Sequence, residues 1–372
     1  MKKRAVSVAI ALTMVALGCG LGAIMVLKQP QFGALPQGRY LERIQRSANY
    51  YGNEFRNPLE TPLFADGVTM FSVLWGNLFA KKERLVPEHP LPAQKVSLHT
   101  MGAEPDLLIW LGHSSWYLQL EGKRILIDPV LSPYGAPFSF MNKAFAGTSP
   151  YSVEDMPAID YLLLSHDHYD HLDYATLKAL QPKVGMVICP LGVGTSLLAW
   201  GYGQDQIEEG DWADQFQLGN GLTLHILPAR HYSGRMMVKN KTLWAGFALV
   251  TPTRRLFYSG DSGYGPHFAQ IGQAFKGFDL VLLDCGQYDS RWPLIHMTPE
   301  EAVRAAQDLG AAALIPAHVG RFTIANHPWD EPFERVLAAS KDSGLVLKTP
   351  QIGEPLDLDV SGEPFTPWWR LQ

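Results

Sequence analysis

The chain has 372 residues, of which 47% are hydrophobic and 18% charged, and its formal net charge at pH 7 is −5. This composition, with 34 glycines and 27 prolines, excludes a disordered chain and indicates a globular protein with a large core and many turns. Without an excess of basic residues, the chain lacks the positive field that a general nucleic-acid binder needs. Its cysteines lie far apart without paired spacing, so we expect neither a disulfide framework nor a cysteine-bound zinc.

Residues 1–28 are predicted to form a membrane anchor or a signal segment. Lys2, Lys3 and Arg4 precede an uncharged run that is long enough for one membrane span. The run stays apolar through "GLGAIMVL", which favours an uncleaved anchor over a removed signal peptide. The basic residues predict a cytoplasmic N-terminus, and therefore a single-pass protein of a bacterial inner membrane with its catalytic domain in the periplasm. The alternatives are a lipoprotein attached at Cys19 and a protein secreted after signal cleavage.

Residues 29–102 are rich in proline, aromatic and basic residues and show little periodicity. We expect an extended segment that packs on the body of the protein. A flexible tether is the alternative. It would leave the many large apolar residues of "ANYYGNEFRNPLETPLF" in water.

Beyond Asp106, short apolar runs alternate with turn residues, which predicts strands. In chain order the runs are "LLIWLG", "SSWYLQL", "RILIDP", "YLLLS", "GMVIC", "LTLHILP", "WAGFALV", "RLFYSG", "LVLLDC" and "AALIPAH". Apolar residues at helical spacing predict helices in "LDYATLKAL", "GPHFAQIGQAF", "TPEEAVRAAQDLG" and "DEPFERVLAASKDSG", and Thr298, Pro299 and Glu301 predict a helix start. Hairpins followed by strand–helix alternation predict an α/β fold in which two mixed β-sheets are flanked by helices.

The stretch "LLLSHDHYDHLD" places three histidines and three aspartates directly behind an apolar strand, where loops often hold functional residues. His166 and His168 are two residues apart, so an extended turn aims both rings at one point. Asp170 and His171 reach a second point beside it, so two metal ions fit better than one. Nitrogen and carboxylate ligands suit zinc, with manganese and iron as alternatives. A merely solvated turn does not explain three histidines with flanking acids.

Three further candidates lie at the ends of other predicted strands. His231 follows "LTLHILPAR", Asp261 follows "RLFYSG", and His318 follows "AALIPA". A single histidine of this kind is more often structural, but all three residues obey one rule of position. We therefore expect them to complete the site.

The motif "HDHYDH" matches the H-x-H-x-D-H signature of the metallo-β-lactamase superfamily, and His231, Asp261 and His318 follow in the order that this superfamily uses. The resemblance implies a metallo-β-lactamase-like αββα sandwich, and with it a hydrolase domain over residues 103–372. Within the superfamily, the chain resembles the N-acylphosphatidylethanolamine-hydrolysing phospholipase D branch and related bacterial proteins. That similarity runs through "WLGHSSWYLQLEGKRILIDPVLS", "SGDSGYGPHFAQIG", "HMTPEEAVR" and "AHVGRF".

The resemblance implies two Zn²⁺ ions, with other divalent transition metals as alternatives. One ion would be held by His166, His168 and His231, and the other by Asp170, His171 and His318, with Asp261 bridging both. A metal-bridging hydroxide would be the nucleophile, and Asp170 would orient it. Asp128 occupies the place of an acid that supports the histidine loop in this superfamily. The alternative for Asp128 is a turn-forming role before Pro129.

The branch resemblance implies a phospholipase D-type phosphodiesterase that acts on N-acylphosphatidylethanolamine-like phospholipids, with the membrane as a partner through the N-terminal segment. His296 matches a histidine close to the metals in that branch, where it would contact phosphate or donate a proton. A structural role before the following helix is the alternative for His296. Another function also stays open, a metal-dependent lactonase or other ester hydrolase that acts on a small soluble substrate.

Overall fold

A computed structural model gives the structure of residues 2–79, 83–102, 105–235, 238–359 and 365–371. The α-helices of these residues are α1 (Lys2–Leu27), α2 (Gly38–Gln45), α3 (Met70–Phe79), α4 (Tyr174–Leu180), α5 (Gly194–Ala199), α6 (His267–Phe275), α7 (Pro299–Asp308) and α8 (Glu331–Ser340). Two short hairpins pair β1 (Tyr50–Tyr51) with β2 (Glu54–Phe55) and β11 (Gly234–Arg235) with β12 (Val238–Lys239).

Two seven-stranded mixed sheets form the centre of the fold. The first has the order β18-β3-β4-β5-β6-β7-β8, with strands β3 (Leu107–Gly112), β4 (Ser115–Leu120), β5 (Lys123–Ile127), β6 (Ile159–Leu163), β7 (Val184–Pro190), β8 (Ile207–Gly210) and β18 (Pro355–Asp357). The second has the order β17-β16-β15-β14-β13-β10-β9, with strands β9 (Gln215–Gly219), β10 (Leu222–Leu227), β13 (Gly246–Val250), β14 (Arg255–Tyr258), β15 (Phe278–Asp284), β16 (Ala311–Ala317) and β17 (Val346–Leu347).

The two sheets share one core. Alternate side chains of a strand point to opposite faces, so one face of each sheet contributes to this core. Leu108 and Trp110 of β3 pack in the same buried cluster as Phe247 of β13 and Phe257 of β14. The neighbouring Ile109 points the other way, into a cluster beneath α4 and α5. Helices α6, α7 and α8 cover the second sheet. The result is the predicted arrangement of two mixed sheets flanked by helices, which the structure confirms.

Helix α7 begins where the sequence predicts. Thr298 is its N-cap, Pro299 is its first residue, and the Thr298 side chain accepts a hydrogen bond from the Glu301 backbone N–H at 3.3 Å. In return, the Glu301 carboxylate accepts from the Thr298 N–H at 3.0 Å. This reciprocal pair fixes the start of α7 and thereby the preceding chain, which contains His296.

Residues 29–102 include the helices α2 and α3, which the sequence pattern did not indicate. Ile44 and Phe55 of this segment are fully buried and pack with Leu191, Leu243 and Trp244 of the body. The division of the chain at residues 28 and 102 stays a prediction.

The N-terminal segment forms the helix α1, but the prediction of a membrane anchor is wrong. In the part of the chain that the structure describes, no helix has both the length and the apolar character that crossing a bilayer requires. This finding contradicts a single-pass inner-membrane protein with a periplasmic catalytic domain. The secreted alternative is not supported either, and lipid attachment at Cys19 stays a prediction. The prediction used the apolar composition of one segment, which is necessary for a spanning helix but not sufficient.

Candidate metal centre

The histidine loop follows β6 and is fixed to the end of the neighbouring strand β5. Asp128, directly after β5, accepts a hydrogen bond from the Ser165 N–H at 2.7 Å. The loop then turns on itself, because the N–H groups of His171 and Leu172 both donate to the His168 carbonyl. β5 and β6 are parallel, so their C-terminal ends meet at one edge of the first sheet and present Asp128 and the loop together.

The first group of candidate ligands is His166, His168, His231 and Asp261, whose nearest ligand atoms all lie within 4.8 Å of one another. His168 Nδ1 is 2.9 Å from His166 Nε2 and 3.2 Å from His231 Nε2. Asp261 Oδ2 is 3.6 Å from His166 Nε2 and 3.7 Å from His231 Nε2. Two nitrogens bound to one tetrahedral zinc lie about 3.4 Å apart, so these spacings fit a shared metal ion.

The second group is His113, Asp170, His171 and His318, again with ligand atoms within 4.8 Å. Asp170 Oδ2 is 3.8 Å from His171 Nε2 and 3.9 Å from His318 Nε2. Asp261 joins the two groups, because its other oxygen, Oδ1, is 3.1 Å from His171 Nε2 and 3.2 Å from His318 Nδ1. The structure therefore brings together all seven side chains that the sequence proposed as ligands, with Asp261 between the two groups. Their role as ligands stays a prediction.

His171 Nε2 and Asp261 Oδ1, two buried atoms at the junction, lie 3.1 Å apart but form no hydrogen bond with each other or with another described residue. Leaving such atoms unpaired in the interior is costly, and a cation between them would satisfy both. The residues present thus fit a metal centre.

The electrostatics of the centre also suit a cation. Burial lowers the pKa of His166, His231 and His318 well below the usual value and that of His168 to about 3, so these rings are neutral, as metal ligands must be. Burial raises the pKa of Asp261 to about 6. Burial alone would lower the pKa of His171, but the carboxylates of Asp261 and Asp170 raise it well above its usual value, which shows that they favour positive charge here.

Hydrogen bonds to the outer ring nitrogens orient the imidazoles. His171 Nδ1 lies 2.8 Å from Asp128 Oδ2, which also accepts from the Tyr258 hydroxyl at 2.7 Å. His231 Nδ1 lies 2.9 Å from the Ile295 carbonyl. Each contact turns the Nε2 atom towards the centre. Asp128 therefore lies where an acid supporting the histidine loop is expected, and its contacts go beyond those of a turn residue.

His296 lies at the centre as well. With Asp261 and His318 it forms a third group of ligand atoms within 4.8 Å of one another. Its ring stacks on the ring of His318, and the two ring centroids are 5.1 Å apart. Its Nδ1 is 2.7 Å from Asp284 Oδ2. Burial would lower the pKa of His296, but the Asp284 carboxylate raises it, so the imidazolium form is favoured.

His113 is a member of the second group to which sequence reasoning gave no role. It follows β3, and its Nε2 is 2.9 Å from Asp170 Oδ2. The signal that could have found it is its position, since it comes directly after a predicted strand, as His231 and His318 do. The contact of His113 with the Asp170 carboxylate suits two roles: His113 orients Asp170, or it is itself a further metal ligand.

A cleft of about 650 Å³ opens onto these residues. Met70, Pro137, Met141 and Ile324 supply apolar wall, and the polar end is formed by His168, Asp170, Asp261, His296 and His318. A second cleft of about 420 Å³ also reaches His296 and is lined mainly by polar side chains, among them Ser290, Thr298, Asn326 and Arg335. His296 is thus common to both clefts.

Two mixed sheets between helices, with histidines and aspartates gathered at the ends of their strands, define a metal-dependent hydrolase of the metallo-β-lactamase fold. Residues 123–319 match the β-lactamase superfamily domain, and the chain belongs to this superfamily. The family predicted from "HDHYDH" is therefore confirmed, and divalent metal binding follows from the family.

Relatives in three groups of organisms resemble the chain. An uncharacterized protein of Mycobacterium tuberculosis is 39% identical over 335 residues, which cover 88% of each chain. The N-acyl-phosphatidylethanolamine-hydrolyzing phospholipase D 1 of Caenorhabditis elegans is 31% identical over 256 residues, or 65% of this chain and 72% of the worm protein. A solved metallo hydrolase of the archaeon Ignicoccus hospitalis, at 21% identity and a TM-score of 0.52, covers 68% of this chain and 97% of its own, and shows the fold alone.

Proposed function

We propose that the chain is a phospholipase D-type phosphodiesterase that hydrolyses N-acylphosphatidylethanolamine-like phospholipids with two zinc ions. The observation that carries this proposal is that His296 lines two clefts, one with a largely apolar wall and one with mainly polar lining. A phosphodiester has two substantial arms on either side of the reacting phosphorus. A compact lactone would need only one of these clefts.

The two zinc ions would be held by the ligand set described above, one by His166, His168 and His231 and the other by Asp170, His171 and His318, with Asp261 shared. When bound, they would supply water activated as a nucleophile at neutral pH and would neutralise charge on the attacked phosphate. Nitrogen and carboxylate donors without thiolate suit zinc.

The protein's own proton donor in this proposal is His296. Asp284 holds the Nδ1 atom, which leaves Nε2 as the atom free to face the centre. Because Asp284 raises the pKa of His296, the protonated ring is favoured, and it would give its proton to the departing oxygen. Asp170, which His113 holds in place, is the carboxylate suited to orient the attacking water.

The similarity to the worm phospholipase supports this substrate class over a soluble ester. It extends over 72% of that protein, and the apolar wall of the larger cleft suits an acyl chain. Superfamily membership alone does not fix which bond is cleaved, so the substrate needs a test of its own.

The test is to incubate the purified, zinc-loaded protein with N-acylphosphatidylethanolamine in mixed micelles and, in parallel, with a panel of lactones. We expect phosphatidic acid and N-acylethanolamine by mass spectrometry, and loss of both products after chelation or in Asp261→Ala. Turnover of lactones with no phosphatidic acid would reject the proposal in favour of the soluble-ester hydrolase.

A further inference from the structure

Helix α3, "MFSVLWGNLF", carries no charged residue, and one of its faces is an exposed row of aromatic rings. Phe71, Trp75 and Phe79 are 72%, 57% and 65% exposed. They are four residues apart, so they lie along one face of the helix. Their ring centroids are 6.0 Å apart between Phe71 and Trp75 and 4.8 Å apart between Trp75 and Phe79. These three residues are named the aromatic ridge.

The start of α3 is attached to the body, so the ridge is not simply a loose end. Val73, which lies between the ridge positions in sequence, is buried. Thr69 and Ser72 exchange hydrogen bonds that fix the start of the helix. Just before it, the Ala65 N–H donates to the Arg291 carbonyl at 2.9 Å. The helix thus holds its aromatic face outwards in a defined position.

The ridge lies beside the cleft of the metal centre. Met70, the first residue of α3, is part of the wall of that cleft. A second exposed apolar group borders the same cleft, because Met141 also lines it and the adjacent Phe140 is 74% exposed. Exposed apolar side chains therefore border the cleft in two places, and exposed apolar patches mark interaction surfaces.

The position and the chemistry of the aromatic ridge favour a lipid surface as its binding partner. A protein or a second copy of this chain seated on the ridge and Phe140 would cover the cleft that both border, whereas a lipid surface would deliver substrate to it. Tryptophan and phenylalanine on an uncharged face are typical of helices that lie in the membrane–water interface. The sequence after the helix adds Lys81 and Lys82, whose charge complements anionic headgroups, whereas the next basic residue, Arg84, pairs with Asp330.

We infer that α3 is a docking helix, whose aromatic ridge inserts into the acyl boundary of a lipid surface and thereby turns the cleft towards the bilayer. The inference rests on the proposed lipid substrate and deepens that proposal, because it names the surface to which the protein binds rather than the bond that it cleaves.

The experiment is to place a fluorescent label at position 71 of the full chain and measure its quenching by lipids that carry a nitroxide on the acyl chain. Phe71→Cys is made in a Cys19→Ser background, since Cys19 is exposed whereas Cys189 and Cys285 are buried. The vesicles contain phosphatidylethanolamine and phosphatidylglycerol. The control label is Val346→Cys, which is also exposed but pairs with Ala313 near the start of β16, the strand whose other end leads to His318.

We expect fluorescence to fall by roughly half or more at position 71, because an interfacial helix buries its apolar face about 5–10 Å deep, and to stay unchanged at position 346. A label at Phe79→Cys should repeat the result if the first variant folds poorly. Equal quenching at positions 71 and 346, or none at 71, would overturn the inference. So would self-association in the absence of lipid that Phe71→Ser with Phe79→Ser abolishes, since the ridge would then be a contact between copies. Quenching needs no turnover, so its failure is distinguishable from failure of the proposed reaction.

Discussion

Replacing Asp128 by Asn should weaken metal binding without touching any candidate ligand. In the wild type, Asp128 Oδ1 accepts from the Ser165 N–H, and Oδ2 accepts from His171 Nδ1, the Tyr258 hydroxyl and the Ser165 hydroxyl. Asparagine has one acceptor oxygen, so its amide N–H₂ must face a donor in either orientation. If it faces Ser165, one buried N–H loses its partner. If it faces His171, that ring must move its proton to Nε2, the atom that the centre needs free.

The size of the effect follows from these contacts. A buried donor left without a partner costs about 1–3 kcal/mol, so the free energy of unfolding should fall by about that amount. Loss of the carboxylate that orients a ligating histidine should lower affinity at one metal site by roughly 10–100-fold.

The assay is competition of the protein with a chromogenic chelator for zinc, with denaturant unfolding measured in saturating metal. The matched control is Tyr258→Phe, which removes one donor to the same oxygen but keeps the contact between Asp128 and His171, so its zinc affinity should stay close to that of the wild type. Wild-type affinity at both sites in Asp128→Asn would refute the assignment of Asp128 as the residue that orients His171.

Three further predictions concern the centre and the core. Asp261→Ala should reduce bound zinc from about two ions per chain to one or fewer while the far-ultraviolet circular dichroism stays native, because one side chain serves both groups of ligands; two retained ions would contradict this. His296→Ala should lower turnover by roughly 10²–10⁴-fold with zinc content unchanged, as expected of a proton donor, and a parallel loss of zinc would make it a ligand instead. Glu209→Gln tests a pH effect: burial raises the pKa of Glu209 to about 7, so the folded state holds a proton that the unfolded state releases, and stability falls as pH rises. Between pH 5 and 7 the free energy of unfolding, measured with denaturant, should fall by about 2 kcal/mol more in the wild type than in Glu209→Gln. An equal dependence on pH in both proteins would contradict the raised pKa.

The strands around the centre could be predicted because burial on both faces makes them continuous apolar runs. β3 coincides with "LLIWLG", and all six of its residues are buried. β8 and β9 were missed because "IEEG" and "QFQLG" are short and rich in polar residues, and only pairing to neighbouring strands makes them extended. Helix α3 was missed because its apolar residues face outwards as well as inwards, which removes the helical period.

The grouping of the candidate ligands could be predicted from the sequence because each residue follows a strand end, where side chains from both sheets converge. His113 obeys the same rule but was given no role, since only its 2.9 Å contact with Asp170 distinguishes it from an ordinary buried histidine. The support of His171 by Tyr258 could not be foreseen, because Tyr258 ends β14 of the second sheet, whereas His171 lies in the loop after β6, and the two meet only through Asp128. The prediction of a membrane anchor was wrong because it was based on the composition of one segment, and no helix of the described residues has the length and apolar character of a membrane span.

The central claim, hydrolysis at phosphorus by water activated in this metal centre, is tested most directly by turnover of N-acylphosphatidylethanolamine in water enriched in oxygen-18. The products are separated and weighed by mass spectrometry, with Asp261→Ala as the inactive control. Attack on phosphorus predicts one heavy oxygen in the phosphate of phosphatidic acid and none in the N-acylethanolamine. Heavy oxygen in a released fatty acid, with unlabelled phosphate, would show acyl hydrolysis and contradict the claim.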